Sequence, residues 1–159
     1  MDDSLALTLR QLLTGRSVAA LGTLHAGGPY VSMVPFALLE DASAFVIHVS
    51  RLAAHTMNMV ADPRVSLLVM EPEQPGVSPQ ALPRVTVVGQ ALELTADSAA
   101  HARARDVYLT RFPSSAPMFE LGDFSLFTIT PDTVRWVAGF GQALSLTPAL
   151  FAKAIRGGE

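Results

Sequence analysis

The residues best placed to do chemistry lie in one stretch, Val49-Ser50-Arg51-Leu52-Ala53-Ala54-His55-Thr56-Met57-Asn58, which runs on to Asp62-Pro63-Arg64. Ala44 to Val49 is apolar and reads as a buried strand, and 51–61 reads as a helix ended by Pro63. Ser50 is then an N-cap at the point where a strand hands over to a helix. A helix start presents unpaired N–H groups and a positive dipole end, which suits a phosphate. Arg51, His55 and Asn58 follow at i, i+4 and i+7 and share a polar face, while Leu52, Thr56, Met59 and Val60 turn toward a core. A hydroxyl, a guanidinium and an imidazole at a helix start make a phosphate grip. A cap and a solvated face would use the same residues. No glycine-rich loop precedes them, so neither the P-loop nor the dinucleotide fingerprint applies.

Other chemistries find little support. The histidines at 25, 48, 55 and 101 lack metal-ligand spacing, and His48 sits in an apolar strand as a core or interface group. There is no Gly-x-Ser-x-Gly elbow for hydrolysis and no cysteine for a nucleophile, a thiolate metal site or a disulfide.

The elements that must position the grip follow from composition and order. A chain of 159 residues suits one domain over 1–159, and its mean hydropathy of +0.36 with 16% charged residues is apolar for a soluble protein. No run approaches the roughly 18–20 apolar residues of a membrane span, so the expected sink for apolar surface is a subunit interface. A net charge of −3 argues against nucleic acid. The acidic start Met1-Asp2-Asp3-Ser4 lacks the basic region of a signal peptide, which predicts a cytoplasmic protein.

Leucines at 5, 9, 12 and 13 predict a helix over 4–14, stopped by Gly15. Ser17 to Leu24 and Tyr30 to Leu39 read as strands around the turn His25-Ala26-Gly27-Gly28-Pro29, and Glu40 to Ser43 reverses the chain into Ala44 to Val49. Such short links predict a three-strand antiparallel meander. Val65 to Met70 is a fourth strand, and Glu71 to Pro83, with Pro72, Pro75, Pro79 and Pro83, is a mobile loop. Arg84 to Leu94 is a strand weakened by Gly89. A helix over 97–111 is capped by Thr95 or Asp97 and broken by Phe112 to Pro117. Phe124 to Thr130 and Thr133 to Ala138 form a hairpin turned at Pro131-Asp132, and Thr147 to Ile155 is a short helix. The pattern is mainly β with flanking helices and argues for a closed or partly closed antiparallel β-barrel of about six or seven strands.

Three segments together resemble a known family: Gly28-Pro29-Tyr30-Val31-Ser32-Met33-Val34-Pro35-Phe36, then Ser50 to Asn58, then Asp62-Pro63-Arg64-Val65-Ser66-Leu67. The chain is similar to the FMN-binding split-barrel proteins, the pyridoxamine 5′-phosphate oxidase-like group. Arg84-Val85-Thr86-Val87-Val88-Gly89 and the stretch Phe124 to Gly141 point to the haem-utilisation branch. The resemblance implies a split antiparallel β-barrel of Greek-key type, in a homodimer with FMN in the cleft between barrels. It implies that Ser50, Arg51, His55 and Thr56 surround the FMN phosphate and that Val31, Ser32, Met33 and Val34 run beside the flavin ring. Trp136 and Gln142 would come from the partner to close the site, with Arg84 or Arg135 adding charge. Pro35 removes a ladder donor, as at an edge strand or beside a ligand.

The chain departs from the true oxidases in having Leu52 after Arg51, where they carry an arginine-lysine pair. The late haem-ligating histidine of longer haem-utilisation proteins has no counterpart after His101. The resemblance therefore implies first an FMN-dependent oxidoreductase acting on an unidentified small molecule, with haem turnover absent or poor. The alternatives are a haem-binding or haem-degrading protein on the same barrel, and a flavin-binding module with little turnover.

Overall fold

Ala26 and Gly27 both take left-handed backbone angles, φ 48° and 80°. That tight turn matches the twist of the strands it joins, β1 (Val18–His25) and β2 (Gly28–Pro35). The computed structural model describes residues 1–157. The remaining strands are β3 (Ala37–Leu38), β4 (Phe45–Ser50), β5 (Arg64–Met70), β6 (Arg84–Glu93), β7 (Phe124–Gly139) and β8 (Gln142–Leu146). The helices are α1 (Asp3–Gly15), α2 (Ala54–Ala61), α3 (Ala99–Arg111) and α4 (Pro148–Arg156), with short 3₁₀ turns at Pro79–Ala81 and Pro113–Glu120.

Eight strands form one sheet in the order β2-β1-β5-β6-β7-β4-β3, with β8 beside β7, and every pairing is antiparallel. β2 also meets β4, so the sheet curls into the half-barrel of a split barrel with helices on its flanks. The expected meander is corrected here. Pro35 has no N–H to continue the ladder, and the next donor, Phe36 N, turns back to Ser17 O at 3.1 Å. The chain then crosses to the other end of the sheet, where β4 lies between β3 and β7.

The expected hairpin at Pro131-Asp132 is also absent. β7 runs unbroken through Pro131, past a register shift opposite Val88 and Gly89. A Cβ on Gly89 would lie 2.2 Å from Thr130 O, so only glycine lets the two backbones approach there. The hairpin turn comes later, at Phe140-Gly141, where Gly141 has φ 75°.

Leu9, Leu12 and Leu13 of α1 close the barrel core from outside, over Leu21, Ile47, Leu67, Val87 and Trp136. Gly15 is the last helical residue and not a left-handed cap. The carbonyls at that end are met instead by Arg111, whose Nη2 donates to Leu13 O at 3.0 Å, to Thr14 O at 3.4 Å and to Arg16 O. Its guanidinium stands 5.0 Å over the Phe36 ring. Ser98, not Thr95 or Asp97, caps α3 by accepting from His101 N at 3.1 Å. No helix among the described residues is long and apolar enough to cross a membrane.

Candidate functional site

The strand-to-helix junction differs from the expected phosphate grip. Ser50 still pairs with Phe124 in the β4–β7 ladder, and Arg51 N donates to Asp123 O at 2.6 Å. A backbone tied to a strand partner cannot begin a helix, so α2 starts at Ala54 with Ala53 as a cap that offers no side-chain bond. Ser50 is not the N-cap; its Oγ accepts from Leu52 N at 3.2 Å within the turn.

That delay rotates everything after it. Arg51 precedes the helix, and Asn58 is only 4% exposed, so the expected Arg51-His55-Asn58 polar face does not form. Leu52 and Val60, expected in the core, are 79% and 66% exposed. Arg51 Nε donates to Ser125 Oγ at 2.7 Å, Ser125 Oγ donates to Glu93 Oε1 at 2.7 Å, and Arg51 Nη2 lies 3.5 Å from the same carboxylate. Thr56 Oγ1 is buried and donates to Ser50 O at 2.6 Å. Alongside runs a groove of about 450 Å³ lined by Arg51, Thr56, Met57, Val60, Ala61 and Glu93. For the FMN phosphate the fit is therefore partial. A dianion at Arg51 would sit beside the Glu93 carboxylate, with no capping hydroxyl at the helix start.

β2 alternates as an edge strand does, bonded to β1 alone along the sheet path. Val31 and Met33 point outward, 69% and 61% exposed, while Val34 is in the core. Ser32 points toward α2, where its Oγ lies 3.0 Å from His55 Nδ1. Burial pushes the His55 imidazole below its usual value, which favours the neutral ring at pH 7. Arg84 donates to Gln80 O at 3.2 Å and Leu82 O at 2.9 Å, so it serves its own loop. Arg135 bonds Ser145 Oγ at 3.0 Å. Gln142 is exposed beside the β7–β8 turn. Trp136 is fully buried among core side chains of its own barrel.

Two groupings were not anticipated. Asn58 Oδ1 lies 2.9 Å from His25 Nδ1 while Asn58 Nδ2 donates to the buried Thr23 Oγ1 at 3.0 Å. His55 and Asn58, nearly one turn apart, thus hold the β1–β2 hairpin against α2. The second is an aromatic cluster in which His48 stacks on Phe119 at 3.7 Å, with Tyr108 and Phe124 around it. The only sequence signal for the first was a polar residue one helical turn after His55.

A curled antiparallel sheet with α2 packed across its β1–β2 hairpin defines the split-barrel class. The pyridoxamine 5′-phosphate oxidase family matches residues 6–138, and the chain belongs to it. It is similar to HOZ, a chloroplastic heme oxygenase of Arabidopsis thaliana, at 35% identity over 85% of this chain and 40% of that protein. It is also similar to the heme oxygenase HutZ of Vibrio cholerae, at 28% identity over 87% of this chain and 79% of that one. Among solved structures, a heme binding protein from Mycobacterium smegmatis superposes with a TM-score of 0.82, 32% identity, and coverage of 96% of this chain and 61% of the other. The chain thus spans 40% of the length of the plant relative and 61% of the mycobacterial one.

Proposed function

We propose that this protein binds haem through the flank of α2 that faces the β1–β2 hairpin, as a member of the haem-utilisation branch. The observation that carries the reading is the donor set on that flank. His25 and His55 each have Nδ1 within hydrogen-bond distance of a protein group, which leaves Nε2 as the nitrogen open to a metal. The relatives named for haem support it, since they align over most of this chain. Haem supplies an iron that takes axial ligands, set in a planar apolar macrocycle. This chain's part is to hold the imidazoles in one orientation, with the Tyr30 ring 6.4 Å from that of His25.

FMN remains the second reading, on one observation. The Arg51 side chain is 60% exposed and its contact with Glu93 is long, so a phosphate could take it over. Titrating the purified protein with ferric haem and, separately, with FMN decides between them. The expected result is a saturable shift of the haem absorption band and no flavin retained on gel filtration. Retained flavin together with an unshifted haem band would reverse the assignment.

The same reading includes a homodimer. Val31 and Met33 stand on the outer face of the sheet with Val18, Met70 and Val88, all exposed in the single chain, next to the free edge of β2. An apolar sheet face of this kind is covered in solution by another surface, and a second copy supplies a matching one. Met33→Asp is expected to give a monomer in sedimentation at concentrations where the unmodified protein is a dimer. A unmodified protein that sediments as a monomer removes the proposal.

A further inference from the structure

We infer that Glu93 is the residue that bars phosphate-bearing ligands, FMN among them, from the groove beside α2; the inference goes beyond the haem-binding reading and does not depend on it. Among its lining residues the groove offers a phosphate one cation, Arg51, whose side chain is mostly exposed. The Glu93 carboxylate stands on the same lining, so the two charges cancel before any ligand enters. Arg51 Nη2 is 3.5 Å from Glu93 Oε1, long enough for the guanidinium to turn away. Glu93 has no such freedom. Its Oε1 accepts from Ser125 Oγ at 2.7 Å, and Ser125 is buried, its Oγ held from the other side by Arg51 Nε at 2.7 Å. The backbone repeats the constraint, because Glu93 ends β6 opposite Phe127, two residues along β7 from Ser125. A ligand drawn to Arg51 therefore meets a carboxylate that the sheet fixes in place.

The hydroxyl donors that a phosphate needs are spent nearby. A serine hydroxyl has one proton, and that of Ser125 goes to Glu93. Thr56 Oγ1, also on the groove, gives its proton to Ser50 O at 2.6 Å. Met57, Val60 and Ala61 complete the lining and offer a dianion only apolar surface. A phosphate beside Glu93 would meet like-charge repulsion, which solvent at this half-exposed site screens but does not cancel. The ion pair itself contributes little to stability at that length and exposure. Glu93 thus matters far more to what the groove accepts than to the fold, and the groove suits an uncharged, apolar group.

The test compares FMN with riboflavin, which differ by the phosphate alone, in titrations of the full chain followed by flavin fluorescence. Glu93→Gln keeps the shape of the side chain and an oxygen for Ser125, and removes only the charge, so its melting temperature is expected to stay unchanged. The unmodified protein is expected to bind FMN no more tightly than riboflavin. In Glu93→Gln the affinity for FMN should rise by about ten-fold while that for riboflavin does not move. Inorganic phosphate should then compete with FMN, and adding Arg51→Ala to Glu93→Gln should abolish the gain. A gain shared by both flavins overturns the inference, as does no gain at all in Glu93→Gln. Tighter binding of FMN than of riboflavin by the unmodified protein also overturns it, and favours the flavin reading. None of these results touches the haem-binding reading, which stands or falls on its own titration.

Discussion

Arg111→Ala is expected to destabilise the protein by about 3 kcal/mol, the combined effect of several charge-assisted hydrogen bonds and a cation–π contact. One guanidinium nitrogen donates to Leu13 O, Thr14 O and Arg16 O, which the end of α1 leaves without helical partners. Alanine would leave the part-buried carbonyls of Leu13 and Arg16 unmet, and Phe36 and Phe112 would lose the group that lies over them. The side chain joins the end of α3 to the end of α1, so both helices loosen together. For a chain of this size the melting temperature should fall by about 6–12 °C. Arg111→Lys should recover only part of the loss, since one ammonium cannot cover the same fan of acceptors. Denaturant unfolding gives the measurement, and a loss below about 0.5 kcal/mol would mean that water replaces the guanidinium at little cost.

Acid should destabilise the fold through His48. Burial, and then the charge of His101, push its imidazole from 6.5 down to about 4. The unfolded chain therefore takes up a proton at a higher pH than the folded one. The stability contributed by the neutral ring is fully present above pH 6.5 and is lost as pH falls toward 4. Over that window the loss should reach about 3 kcal/mol. His48→Phe keeps an aromatic ring against Phe119, Tyr108 and Phe124 and removes the proton site, so its stability should vary less with pH in this range. Parallel pH profiles for the two proteins would show that the acid response comes from elsewhere.

What could be read from the sequence was whatever local spacing determines. The leucine stripe of α1, the hairpin turn at Ala26-Gly27 and the short helix α4 all depend on neighbours within a few residues, and each fell within a residue or two of its place. The failures share one cause, a partner far along the chain. Ser50 is as good a helix cap as any serine, but its backbone is held by Phe124. Pro131-Asp132 carries every local mark of a turn, and the absent side chain of Gly89 across the ladder lets the strand run straight through. At the site, residue types were legible and their directions were not. Asn58 looks the same in a sequence whether it meets water or Thr23, and nothing near Arg51 announces that Glu93 and Ser125 stand beside it. The family resemblance supplied the split form of the barrel. It could not supply which way a single turn of α2 faces.

The length of β7 has a consequence for how the protein is made. β4 leaves the ribosome early, yet the strand that covers its long side begins at Phe124, paired with Ser50. At ordinary rates of synthesis the interval is on the order of 4–15 s, during which β4 has only the two-residue β3 beside it. β6 waits as well, because it too is completed by β7. The nascent chain therefore carries two open, apolar strand edges until one late segment closes both together. Capture by a chaperone, or pairing with a neighbouring nascent chain, is most favoured in that interval, and it ends only when the stretch through Gly139 has emerged.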